Sequence, residues 1–370
     1  MATSTLSTVV DTKCIPAYFS CLPVRIHNDT KAIDAATWDA INICAAVGTK
    51  ERSQAAYRHT NPYGSPYAVC HPECNIRKLE YFVKVVEMIW IDDDVTEELP
   101  HAEALEEHEI LRQGLHPEFD NDTNTGKTVG VKKAYLRAQR DGMLALDPVG
   151  TPGVLAVLDR YLYEYDRSDE DYLTLETYLP YRIHNAGYYV CARFTRWAMG
   201  IEITEEESKV VEEFERILGS VLALTNDYFS WRKEKLQYTD RVRNAVPILM
   251  RQYNIPEPQA RLLLKGFIVE EEEKAKRIRM KLESRPDLSV DFVRYLDMLE
   301  LYCGGNCYWS ATCPRYNKPQ EEEAAVVPKE SAPPVEKHAE VKVVRDIPEA
   351  KTKAEIVVEP IIETVVQAHN

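Results

Sequence analysis

The run Asn226-Asp227-Tyr228-Phe229-Ser230-Trp231-Arg232-Lys233-Glu234 constrains this chain more than any other stretch. Asn226, Ser230 and Glu234 stand at positions i, i+4 and i+8, which on an α-helix fall within about 80° of one another. One face therefore presents an amide, a hydroxyl and a carboxylate oxygen. Hard divalent cations such as Mg²⁺ take such oxygens and keep coordination positions for water and phosphate. Lys233 adds a cation for a phosphate shared with the metal. A solvated polar face would explain the charges but not this order of residue types.

A second acidic element lies upstream, in Glu87-Met88-Ile89-Trp90-Ile91-Asp92-Asp93-Asp94-Val95-Thr96-Glu97-Glu98. Tyr81, Val85, Met88 and Ile89 recur at helical spacing, so an amphipathic helix is expected, with the acids following its C-terminal end. Carboxylates there oppose the helix dipole and repel one another unless cations neutralise them. Such a cluster points to metal ligands, Asp93 and Glu97 one turn apart with Asp94 beside them. Asp92 is the alternative first ligand.

Helix-period apolar positions also mark residues 76 to 92, 132 to 145, 151 to 164, 185 to 199, 206 to 234, 257 to 282 and 289 to 304, and strand alternation is scarce. Thr204-Glu205-Glu206-Glu207 reads as a capping box, Pro256 and Pro258 precede a helix, and Pro286-Asp287 ends one before Ser289 restarts it. Residues 114 to 130 read as a loop. The expected fold is an all-α bundle whose two acidic helices face each other across a central cavity.

Asp-Asp-x-x-Glu followed by Asn-Asp-x-x-Ser-x-x-x-Glu resembles the paired metal motifs of class I terpene cyclases, over residues 15 to 317. The likeness is greatest to the cyclase half of fungal chimeric terpene synthases, in which a linker leads to a C-terminal prenyltransferase that makes the substrate. The resemblance implies a class I terpenoid synthase bundle and a Mg²⁺-dependent lyase with three ions, two near Asp93 and one on Asn226, Ser230 and Glu234. Its substrate would be a linear allylic diphosphate, C20 or C25, ionised and cyclised to a polycyclic di- or sesterterpene. Arg182, Lys233, Arg315 and Tyr316 would hold the diphosphate, guanidinium forks being suited to its oxygens. Apolar and aromatic walls would shelter the carbocation, with Tyr63, Phe82, Trp90, Phe229 and Trp309 as candidates of which two or three line the pocket. The family also has a helix break after the arginine. Here Gly187 is compatible with one, and Asn185 stands where an acid is expected. His184 reads as structural.

Other classes fit less well. A prenyltransferase would carry a second aspartate-rich motif in place of Asn226 to Glu234, and a class II cyclase would need Asp-x-Asp-Asp. An acidic scaffold would not explain two spaced metal motifs. The net charge of −15 and pI of about 5.2 disfavour nucleic acid, whose affinity comes from cations that neutralise phosphates. No apolar run approaches the roughly 20 residues that span a bilayer, and the N-terminus lacks the pattern of a secretion signal, so a cytosolic enzyme is expected. Nine cysteines, an odd count with four-residue spacings at Cys70/Cys74 and Cys303/Cys307, read as reduced structural thiols. Gly126-Lys127-Thr128 fails as a phosphate loop because Asn121 replaces its first glycine, and the glycosylation patterns at Asn28 and Asn121 carry little meaning in a cytosolic chain.

Residues 318 to 370 are rich in Pro, Glu and Val and have no aromatic residue, the composition of a disordered linker or tail. A chain ending at Asn317 should keep the melting temperature of the full chain and its turnover of supplied substrate. Calorimetry and product assays on the two proteins check this, and a large loss of either property would show that the tail docks.

Overall fold

The computed structural model describes residues 5–119, 128–168, 170–236 and 243–317. The tail 318–370 and residues 120–127 of the expected loop lie outside them. The described residues form fourteen α-helices, a two-stranded sheet and two single 3₁₀ turns, 113–115 and 117–119. Strands β1 (Ser7–Val9) and β2 (Arg25–His27) pair antiparallel, Thr8 opposite Ile26. The helices are α1 (Thr30–Cys44), α2 (Lys50–Arg58), α3 (Pro66–Cys70), α4 (Ile76–Thr96), α5 (His101–Arg112), α6 (Thr128–Leu146) and α7 (Thr151–Glu164). They continue with α8 (Leu175–Asn185), α9 (Tyr188–Ala198), α10 (Glu205–Glu234), α11 (Ala245–Tyr253), α12 (Glu257–Glu283), α13 (Val290–Thr312) and α14 (Pro314–Asn317). No helix among the described residues is long and apolar enough to cross a membrane.

Local chemistry sets the boundaries of the long helices. Thr204 Oγ1 accepts from the Glu207 amide at 3.1 Å and the Thr204 amide donates back to Glu207 Oε2 at 2.9 Å, which closes the expected capping box of α10. Three acids in its first turn, Glu205 to Glu207, favour the positive end of the helix dipole. Pro256 caps α12, and Ser289 caps α13 by accepting from the Phe292 amide at 3.0 Å. Between α8 and α9 the chain breaks at Gly187, whose φ of 72° favours a residue without Cβ.

The apolar core has two sectors. One gathers α1, α4, α6 and α7 around Ile33, Leu79, Met88 and Leu158, and the other gathers α8 and α10 to α13 around Tyr178, Phe214, Leu264 and Phe292. Helices α4 and α10 belong to different sectors and both line a cavity of about 280 Å³ where the sectors meet.

Two expectations need correction. The acids do not follow α4 but lie within its last turns, the helix running on to Thr96. Cations from other elements make this possible: Lys132 Nζ sits 2.8 Å from Asp92 Oδ1 with both side chains 1% exposed, while Arg58 and Arg315 bond Asp94. Helix α8 falls partly outside the expected helices because Pro180 lies inside it and masks the pattern.

The Lys132–Asp92 pair yields a stability prediction. Lys132→Met strands a buried carboxylate and should cost about 3–5 kcal/mol, whereas Asp92→Leu combined with Lys132→Met should recover most of the loss. Chemical denaturation checks both, and an unaltered midpoint for Lys132→Met alone would refute the account.

Candidate active site

Asp92, the alternative first ligand, is turned away from the cavity. Burial opposes its ionisation, but Lys132 and His108 outweigh burial and hold its carboxyl below the usual range. Asp94 lines the cavity and is likewise held low, because Arg58 and Arg315 overcome its burial. Arg315 Nη2 donates to Asp94 Oδ1 at 3.2 Å, and Arg58 Nη1 reaches Glu87 Oε1 at 3.1 Å.

Asp93 and Glu97 behave in the opposite way. Both line the cavity. Burial, then the charges of Glu97 and Asp94, push the Asp93 carboxyl well up. The enclosing cavity wall, then Asp94 and Glu234, raise Glu97. Of the three aspartates, Asp93 is the one with no ion pair among the described residues, and it lines the cavity on the same wall as Glu97.

The facing wall is α10. Asn226 and Glu234 line the cavity, and Ser230 lies just behind them, 2% exposed. Asn244, before α11, ties the row together. Its Nδ2 donates to Glu234 Oε2 at 2.9 Å and to the Asp227 carbonyl at 3.0 Å, with Ser230 Oγ at 3.4 Å. Burial and Asp227 raise the Glu234 carboxyl. Glu234 is near enough to bear on Glu97, and Lys233 acts on both Asp94 and Glu97, so the two acidic elements meet across the cavity.

Arg182 joins α8 to this wall. Its Nε donates to Asp227 Oδ1 at 2.9 Å, its Nη2 to Asn226 Oδ1 at 2.8 Å, and its Nη1 to Asn185 Oδ1. Asp227 is fixed in turn by the Tyr178 hydroxyl and the Ala245 amide, each at 2.9 Å. Asn226 Nδ2 donates to the Tyr316 hydroxyl at 3.3 Å. Arg182, Arg315 and Tyr316 all line the cavity, as do Asn185 and Gly187. The helix break is thus present, and His184 is exposed against Tyr189.

The structure divides the aromatic candidates. Phe82, Trp90 and Trp309 line the cavity, with Trp90 and Trp309 stacked at 6.4 Å. Tyr63 does not, being 50% exposed, and Phe229 is buried on the far face of α10 against Phe19 at 5.9 Å. Sequence reasoning missed Arg58, Asp227 and Asn244. Asp227 sits inside the nine-residue run and could have been noticed there. Arg58 and Asn244 carry no local signal, since only folding brings them to the acids.

Among the described residues no three His, Cys, Asp or Glu side chains close into a ligand cage by themselves. The oxygens instead come as two carboxylates on one wall and an amide, a hydroxyl and a carboxylate on the other. That donor set is all hard oxygen and suits Mg²⁺. All nine cysteines are free, so no disulfide constrains the site.

Comparison with known proteins identifies the family and the fold. Residues 84–274 match the family terpene synthase family 2, C-terminal metal binding. A sesterterpene synthase of Colletotrichum orbiculare is 28% identical over 325 residues, covering 83% of this chain and 44% of that protein. A bifunctional terpene synthase of Fusarium proliferatum is 28% identical over 309 residues, 81% of this chain and 41% of its own length. Ophiobolin F synthase of Cochliobolus heterostrophus is 32% identical over 260 residues, 69% of this chain and 35% of its own length. The chain thus spans less than half of these curated relatives. Among solved structures, aristolochene synthase from Penicillium roqueforti superposes with a TM-score of 0.65 at 19% identity, over 82% of this chain and 99% of that one. Hedycaryol synthase gives 0.63 at 18% identity, over 80% and 97%. At that identity the likeness is one of fold, and it bears out the expected all-α class I terpenoid synthase bundle. The family match takes in more than half of the chain and both acid-bearing walls, and the chain belongs to terpene synthase family 2.

Proposed function

We propose that this chain is a class I terpene cyclase that ionises a linear allylic diphosphate and cyclises the resulting carbocation, releasing diphosphate. The observation that carries the reading is the convergence at one cavity rim of Asp93 and Glu97, of Asn226 and Glu234 with Ser230 behind them, and of Arg182, Arg315 and Tyr316. Oxygen ligands and phosphate-binding cations beside an apolar and aromatic lining suit the ionisation of a diphosphate ester whose hydrocarbon chain fills the cavity.

Asp93 and Glu97 would hold metal on one wall, and Asn226, Ser230 and Glu234 on the other. Bound there, Mg²⁺ supplies positive charge against the diphosphate oxygens as the C–O bond breaks. Arg182 and Arg315 are already oriented, one by Asp227 and Asn226, the other by Asp94, so little ordering remains when they take up the leaving group. Arg182 now occupies the Asn226 oxygen, so ligation by Asn226 requires that this bond loosen. Phe82, Trp90 and Trp309 then exclude water from the cation and present their faces to it.

A C20 or C25 diphosphate is the proposed substrate, on the strength of relatives named as sesterterpene synthases. Two relatives named bifunctional, from Fusarium proliferatum and Talaromyces wortmannii, support a prenyltransferase as the supplier of that substrate.

The full chain with Mg²⁺ and C15, C20 and C25 allylic diphosphates should release pyrophosphate and cyclic hydrocarbon from C20 or C25, and EDTA should stop it. Asp93→Ala and Asn226→Ala should each lower turnover by about a hundredfold or more with an unaltered circular dichroism spectrum. Wild-type rates in both variants would overturn the assignment, and a longer diphosphate as product would make the protein a prenyltransferase.

A further inference from the structure

The cavity floor holds a base that the rim chemistry does not use. His71, which follows α3, is 4% exposed and lines the cavity. Its ring meets Phe82 edge-on at 4.5 Å and lies 5.0 Å from Tyr302. Nδ1 is 2.7 Å from Thr195 Oγ1, and that hydroxyl is also 2.7 Å from the Cys191 carbonyl oxygen. A hydroxyl has one proton and a carbonyl can only accept, so Thr195 donates to Cys191 and accepts from Nδ1–H. Nε2 is then left with its lone pair, and it has no hydrogen-bond partner among the described residues.

We infer that His71 Nε2 is the proton acceptor that ends the cyclisation. This rests on the cyclase reading given above. The C–H bond beside the last cationic carbon breaks, its electron pair becomes the C=C bond of the product, and the proton forms Nε2–H of an imidazolium. Water admitted as the product leaves takes that proton away.

Position favours His71 over the departing diphosphate. Phe82, which His71 touches, is eleven residues before Asp93 on α4, or about 16 Å along the helix. A diphosphate held at the rim is remote from cations formed at that depth in a long substrate. Cys70, Cys191 and Tyr302 share the floor, but burial keeps the thiols and the phenol protonated, and they accept protons less readily than an imidazole nitrogen.

Burial also pushes His71 down to about 3, so the ring is neutral at working pH and ready to accept. Weak basicity is no obstacle, because a C–H bond next to a carbocation is a far stronger acid than any imidazolium. It also helps turnover, since the imidazolium surrenders its proton once water enters.

Full-length His71→Phe and Thr195→Val proteins, incubated with Mg²⁺ and C20 or C25 diphosphate, test the inference by product composition per pyrophosphate released. In His71→Phe the share of the wild-type alkene should fall about tenfold or more, replaced by double-bond isomers or alcohols of the same ring skeleton. Thr195→Val keeps the imidazole but frees its tautomer, and should shift the mixture in the same direction. Should His71→Phe fail to fold, Thr195→Val decides. Unchanged products, or new ring skeletons without isomers of the original, would overturn the role and leave His71 as a wall residue. Absence of pyrophosphate from the wild-type protein would instead defeat the cyclase reading.

Discussion

The C-terminal turns of α4 carry four carboxylates, Asp92, Asp93, Asp94 and Glu97, against the negative end of the helix dipole. Left alone, that arrangement would unwind the helix. The fold answers it unevenly. Lys132 comes from α6 to Asp92, Arg58 from α2 and Arg315 from α14 to Asp94, so three separate elements are drawn to one helix end. Burial, with Glu97 and Asp94 bearing on Asp93 and with Asp94 and Glu234 bearing on Glu97, raises both of those carboxyls above the ordinary range. The acids held ionised and the acids raised are thus sorted by which cations fold against them.

A second web, centred on Asp227, governs the opposite wall. Asp227 is fully buried on α10 and is bonded by Tyr178, Arg182 and the Ala245 amide, which joins α8, α10 and the start of α11. Because burial makes an unpaired carboxylate costly, these partners are constrained together, and the Arg182 guanidinium is presented in one orientation. The break at Gly187 lets the chain turn from α8 into α9, and Gly187 lines the same cavity as this arginine.

Polar and apolar functions are separated along the length of the cavity. Carboxylates, guanidiniums and the α10 oxygens occupy the rim, while Phe82, His71 and Tyr302 form the floor and the Trp90–Trp309 pair stands between. The separation follows from helix geometry and sequence together: Phe82 precedes Asp93 by three turns on α4 and so shares its face. Under the proposed reading, a reactive cation formed at the rim would meet surroundings in which almost every neighbour is a π face or a neutral group.

Much of this was legible in the sequence. The order Asn226, Ser230, Glu234 at helical spacing, and Asp93 with Glu97 one turn apart, defined two faces because helix periodicity is a local property that depends on nothing distant. The capping box at Thr204 and the restart at Ser289 were equally local. Choosing among Asp92, Asp93 and Asp94 was not, since adjacent residues on a helix differ by 100° and only the placement of Lys132, Arg58 and Arg315 decides which carboxylate is compensated. The same limit applied to the aromatics. Phe229 lies in the nine-residue run yet faces Phe19, and Tyr63 reaches solvent, because burial is settled by what packs against a residue and not by its type. The neutral ring of His71 is the extreme case: its protonated nitrogen is set by Thr195, 124 positions away in the chain, through a contact that exists only in the folded state.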